Sequence, residues 1–141
     1  MNDEIRENIK ELREQSGSAY VACINEDGNP VTRAMLVLEH DSYGEQYFST
    51  NTSSSKVACY QANPKASVYY CEPDNFKGVL FVGDMKVCTD QETKDFLWRE
   101  GIEKYYPKGV TDPDYCVLRF TAKWGSYYHG LQNTKFTIDE L

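Results

Sequence analysis

The sequence predicts a mainly β domain, in which six to seven mostly antiparallel strands form a barrel or sandwich with a few peripheral helices. Three observations predict it. Strand-like apolar runs follow one another at hairpin-length turns, with few helical stretches between them, whereas a doubly wound parallel sheet would alternate strand with helix. Eleven tyrosines and six phenylalanines are a heavy aromatic load that suits pleated, half-buried surfaces. A chain of 141 residues builds one real core and is too short for two comfortable ones, so residues 1–141 form a single domain.

The elements follow in order. Asn2 or Asp3 caps a helix over about 3–15, where Ile5, Ile9 and Leu12 recur at helical spacing and Glu4, Arg6, Glu7, Lys10, Glu11, Arg13 and Glu14 fill the other face. After Gly17 a first strand runs over 19–24, and Asp27-Gly28 is a hairpin signal leading to a partner strand over 31–39. The polar, glycine-punctuated segment 40–45 is a second turn, and a third strand covers 45–50. A helix then begins among serines 53–55, which can supply its N-cap, and Asn63-Pro64 closes it. Strands follow over 65–71 and 78–88, the second with Gly83 marking a bulge or bend of the kind that closes barrels. Asp90 caps a helix through Trp98, a proline-bearing loop spans 105–114, and the last strong strand covers 115–122. Residues 123–130 lead into a weak terminal strand near Phe136.

Charge and composition exclude several classes. A net charge of −7 repels polyanions, which argues against nucleic acid, and no basic run offers itself to an anionic membrane surface. No window approaches a membrane span and the N-terminal stretch is acidic and amphipathic, so the expected location is cytoplasmic. Five widely spaced cysteines and two histidines give no metal-ligand spacing; the cysteines read as reduced core residues, with a disulfide among some of them left open.

The junction 47–58 concentrates the candidate chemistry. Ser49, Thr50, Ser54 and Ser55 gather hydroxyls where a strand passes into a helix N-terminus, and Lys56 adds an ammonium. Unpaired N–H groups and the helix dipole favour an anion there. The alternative is an ordinary serine-rich loop with a solvated lysine. Arg33, a charge embedded in the second strand, either reaches water, pairs with a carboxylate such as Glu45, or meets an anion. A hairpin laying 31–39 beside 45–50 would put the Arg33 end and the Thr50 end on the same side, converging Arg33, the hydroxyls and Lys56 on one anion.

The chain resembles the pyridoxamine 5′-phosphate oxidase-like FMN-binding split-barrel family, in particular its small general-stress-protein branch. The resemblance rests on Gly28-Asn29-Pro30-Val31-Thr32-Arg33-Ala34-Met35, Phe48-Ser49-Thr50-Asn51 with Ser54-Ser55-Lys56, Asn63-Pro64-Lys65-Ala66-Ser67-Val68, and Gly83-Asp84-Met85-Lys86-Val87 in that order. It implies a split barrel whose flavin phosphate is bound by Arg33 and Lys56 with help from Ser49, Thr50, Ser54 and Ser55. It further implies that main-chain groups of Ala34, Met35 and Leu36 face the flavin ring edge. A homodimer with flavin at the interface follows from the same resemblance, with Trp124 of one subunit approaching the flavin of the other or else packing as a core or rim aromatic. His129 is a lone histidine that either donates a proton near a substrate or is structurally bonded or exposed.

Function follows as an expectation: an FMN flavoprotein passing hydride from a reduced nicotinamide, NADH or NADPH, to a small acceptor. The alternatives are a non-catalytic flavin-binding or sensing protein, or the same barrel holding haem or a deazaflavin. The chain lacks the C-terminal Arg-x-His pattern with which the vitamin-forming oxidases grip their substrate; its C-terminal basic residues are Arg119, Lys123, His129 and Lys135. A true pyridoxamine phosphate oxidase is therefore not expected.

Overall fold

Helix α1 (Asp3–Gln15) opens the chain with Asn2 as its cap, the Asn2 side chain accepting from the Ile5 N–H at 2.9 Å. The structure, a computed structural model, describes residues 1–38 and 42–141. Ile9 and Leu12 of α1 are buried as their spacing predicts, but Arg13, assigned by the same periodicity to the polar face, is only 1% exposed. Its guanidinium lies 4.9 Å from the Tyr43 ring centroid, 5.4 Å from that of Tyr70 and 6.0 Å from that of Phe81. One nitrogen, Nη1, donates to the Ser42 carbonyl at 2.7 Å. Ring faces thus supply the cation's environment, a contribution of about 0.5–2 kcal/mol per good contact, and α1 is fastened against the barrel by a charge that periodicity alone places in water.

Among the described residues seven strands form one antiparallel sheet: β1 (Ser18–Ile24), β2 (Pro30–Leu36), β3 (Glu45–Asn51), β4 (Lys65–Glu72), β5 (Lys77–Cys88), β6 (Tyr115–His129) and β7 (Gln132–Thr137). Their order is β2-β1-β4-β5-β6-β3, with β7 paired to β6. Inward residues Val21, Phe48, Val68, Tyr70, Phe81, Met85 and Phe120 fill the core, and the sheet curls around them. This is the mainly β split-barrel architecture expected. The Asp27-Gly28 turn lies between β1 and β2, with Gly28 at φ 81, a conformation that suits glycine. Residues 115–129 form one continuous strand rather than ending near 122.

One expected pairing fails. Among the described residues β2 hydrogen-bonds only to β1 and β3 only to β6, so the two are the edges of the sheet and not a hairpin. The physical reason is that β1 already takes one side of β2 through the tight Gly28 turn, while β6 offers β3 a seven-residue register from Glu45↔Thr121 to Asn51↔Tyr115. The strand end expected at Glu39, and His40 and Asp41 of the expected turn, lie outside the described residues. Curling still brings the two edges near one another without a ladder between them.

The bulge expected at Gly83 is present. The β5–β6 register shifts between Val82 and Gly83, where Val82 faces Trp124 and Gly83 faces Ala122, leaving Lys123 as the extra residue. Lys123 turns to Asp84 and bridges it at 2.8 Å. All five cysteines are free. Burial pushes the Cys23 and Cys116 thiols up to about 11, so both remain protonated small hydrophobes at neutral pH.

Candidate anion seat at the edge of the barrel

Helix α2 (Ser55–Ala62) leaves the end of β3 and lies against β1, held there by the Tyr60 hydroxyl donating to the Ala22 carbonyl at 2.9 Å. Its N-cap is Ser54 by position, yet no side chain caps it. The Ser54 hydroxyl instead accepts from Lys56 Nζ at 2.8 Å. That bond holds the half-buried ammonium close to the helix start. Burial lowers the Lys56 pKa first, and the neighbouring Arg33 guanidinium lowers it further. Arg33 and Lys56 are therefore within electrostatic reach of one another, and both act on the Cys23 thiol, although β2 and β3 do not pair: α2 packs on β1 and β5, and β1 pairs with β2.

Arg33 pairs with Val21 in the β1–β2 ladder and shares the inward parity of Met35, but its guanidinium reaches the surface, where Nη1 donates to the Thr32 carbonyl at 3.0 Å. Among the described residues it forms no ion pair. Glu45, one partner considered for it, accepts from the Tyr47 hydroxyl at 2.9 Å instead. Two cations within electrostatic reach of one another suit an oxyanion, Arg33 through its planar fork and Lys56 as a point charge.

The hydroxyls divide. Thr50 is buried on the core face of β3, whereas Ser49 lies on the opposite face and meets the Tyr115 hydroxyl at 3.3 Å. Ser49 is thus turned into a satellite aromatic cluster with Tyr115, Trp98 and Tyr106 and away from the core-side parity of Arg33, a consequence of strand alternation. Ser55 is exposed in the first turn of α2. Asp114 occupies much of the remaining loop: its carboxylate accepts from the Thr52 hydroxyl at 2.9 Å, the Ser53 N–H at 3.0 Å and the Ser53 hydroxyl at 3.3 Å. Sixty-odd residues separate these partners, so no local signal in the sequence marks Asp114 as the loop's organiser.

The Thr52 hydroxyl and then the Ser53 N–H hold the Asp114 carboxyl below its ordinary range. A depressed carboxyl pKa stabilises the fold above the unfolded value and loses that contribution as pH falls through the folded one. Thermal unfolding of Asp114→Asn should accordingly lie below that of the parent chain at pH 7, with the gap closing as pH drops below the carboxylate range. A gap that stays constant with pH would refute the assignment.

Ala34 and Leu36 are exposed and Met35 is buried, its side chain entering the core. Because β2 is an edge, half of its main-chain groups face away from β1 and have no ladder partner.

The family model for proteins described as pyridoxamine 5′-phosphate oxidase like matches residues 3–139. The chain belongs to that family. Among solved structures, one from Clostridium acetobutylicum, described as related to general stress protein 26 of B. subtilis and as of the pyridoxinephosphate oxidase family, is 38% identical. It superposes with a TM-score of 0.91, and the match covers 99% of both chains. General stress protein 26 from Bacillus anthracis is 16% identical with a TM-score of 0.75, covering 94% of this chain and 99% of that one. An FMN-binding, pyridoxamine 5′-phosphate oxidase-related protein from Nostoc punctiforme is 16% identical with a TM-score of 0.63, covering 94% and 87%. No curated protein matches the sequence.

Within this oxidase-like chain, Trp124 does not join the cationic pair. It lies on the outward face of β6 opposite Val82, with Lys135 Nζ 4.5 Å from its ring centroid. His129 ends the same strand, exposed and in register with Lys77 and Gln132. Among the described residues no group of histidine, cysteine and carboxylate side chains could hold a metal ion, and no helix is long and apolar enough to cross a membrane.

Proposed function

We propose that this member of the oxidase-like family is an FMN-binding flavoprotein whose cofactor phosphate is held by Arg33 and Lys56. The observation that carries this reading is the pair itself: two cations within electrostatic reach of one another, at the edge of a barrel whose edge strand has main-chain groups with no ladder partner among the described residues. The donor set fits a phosphate monoester dianion, and the Nostoc relative described as FMN binding supports the choice of ligand. Ser54 orients the Lys56 ammonium, and Thr50 and Ser55 flank the seat. The outward main-chain groups of Ala34, Met35 and Leu36 would lie along the ring edge.

Bound FMN supplies hydride acceptance from NADH or NADPH and return of that hydride to a small acceptor. The protein's own part is to bind, orient and shield. The outward sheet face exposes Tyr20 at 44% and Leu36 at 63%, and Trp124 lies on that face too. A second copy of the chain covering it would bury these side chains and bring Trp124 of one subunit toward the flavin of the other.

The test is steady-state oxidation of NADH or NADPH by the FMN-loaded protein with quinone and nitro acceptors. Turnover well above that of free FMN is expected. A rate no faster than free FMN would exclude the oxidoreductase and leave a flavin-binding protein.

A further inference from the structure

A second basic place lies at the other end of α2. Lys86 of β5 and Arg119 of β6 stand directly opposite one another in the antiparallel ladder, on its outward face. They border a cleft of about 580 Å³ whose other walls include Gln61 of α2, Pro64 just beyond that helix, Asp84 and Thr121. Like charges directly opposite across a ladder are destabilising. Asp90 attracts Lys86 electrostatically, but the hydrogen bonds and ion pairs of the neighbouring carboxylates run to other groups. Asp84 bridges Lys123 at 2.8 Å, Asp90 accepts from the Thr93 N–H at 3.0 Å and its hydroxyl at 2.6 Å, and Glu45 accepts from Tyr47 at 2.9 Å. Neither cation forms an ion pair among the described residues, and Arg119 Nε is buried without a hydrogen-bond partner. In a chain of net charge −7, a facing cation pair with an unsatisfied buried donor favours an anion.

We propose that Lys86 and Arg119 form a binding site for the phosphate group of a small molecule, separate from the Arg33–Lys56 seat. The guanidinium fork offers paired N–H donors and the ammonium a point charge, while the Thr121 hydroxyl and Gln61 amide can complete a tetrahedral set of donors. Lys56 and Gln61 sit near opposite ends of α2, whose eight residues rise about 12 Å, so the two sites are within reach of one extended ligand or of two neighbouring ones.

The experiment is a titration of the full chain with inorganic phosphate, at an ionic strength held constant with sodium chloride, followed by thermal unfolding and by amide chemical shifts. Phosphate should raise the unfolding temperature and shift the amides of Gln61, Lys86, Arg119 and Thr121. That response should persist in Arg33→Gln/Lys56→Gln, which separates it from the flavin seat. In Lys86→Gln/Arg119→Gln phosphate binding should weaken by about tenfold or more, while the variant unfolds no lower than the parent in phosphate-free buffer because the repulsion is gone. A response that vanishes in Arg33→Gln/Lys56→Gln, that acetate or chloride reproduces, or that leaves those four amides unmoved would overturn the site. The shifts in the parent chain decide the matter even if a variant fails to fold.

Discussion

Replacing Arg33 and Lys56 together by alanine should weaken FMN binding by about 100-fold or more. Hydrogen bonds to charged groups contribute about 1.5–3 kcal/mol each, and each 1.4 kcal/mol is roughly tenfold in affinity. Arg33 is exposed and Lys56 half-buried, so solvent screening discounts both toward the lower end of that range. Two such losses still give about two decades. Lys56→Ala alone should also free the Ser54 hydroxyl, which loses its ammonium partner, whereas Arg33→Ala should raise the Lys56 pKa by removing a neighbouring positive charge. Equilibrium titration of the apoprotein with FMN measures the affinities; equal affinity in parent and double variant would remove the seat from the account.

Gly83→Ala should cost at least about 3 kcal/mol of stability, and the protein should fold poorly or not at all. A Cβ at position 83 would sit 1.9 Å from the Thr121 carbonyl oxygen and 3.0 Å from Ala122 Cα, both backbone atoms that cannot swing aside. Gly78 makes a useful contrast: a Cβ there meets the Tyr69 hydroxyl at 2.0 Å, the end of a side chain that can rotate away. Urea unfolding should therefore rank Gly78→Ala well above Gly83→Ala in stability. If Gly83→Ala unfolds at the parental midpoint, the bulge does not hold the two backbones together as described.

Gly83 also shows what the sequence made legible. A glycine within a long apolar strand signals close backbone approach, and the bulge falls there, although the inserted residue, Lys123, belongs to the opposite strand and carries no mark of its own. The amphipathic pattern of α1 placed Ile9 and Leu12 correctly and misplaced Arg13, because periodicity does not register that three aromatic rings from other elements replace water around a guanidinium. The same limit applies to the site. Arg33 and Lys56 could be named from their unusual positions, yet the hairpin that was to join them is not formed; α2 packs on β1, the ladder partner of β2, and leaves the two within electrostatic reach. Hydroxyls counted together in the sequence are separated by alternation, which sends Thr50 inward and Ser49 toward Tyr115. Asp114, which organises Thr52 and Ser53, is distant in the chain and became visible only in three dimensions.

The most direct test of the flavin assignment is the absorbance spectrum of the freshly purified protein, before and after incubation with FMN and removal of excess by gel filtration. Oxidised-flavin bands should comigrate with the parent chain and be lost with Arg33→Ala/Lys56→Ala. A colourless parent protein that retains no FMN, or one showing a Soret band instead, would contradict the assignment.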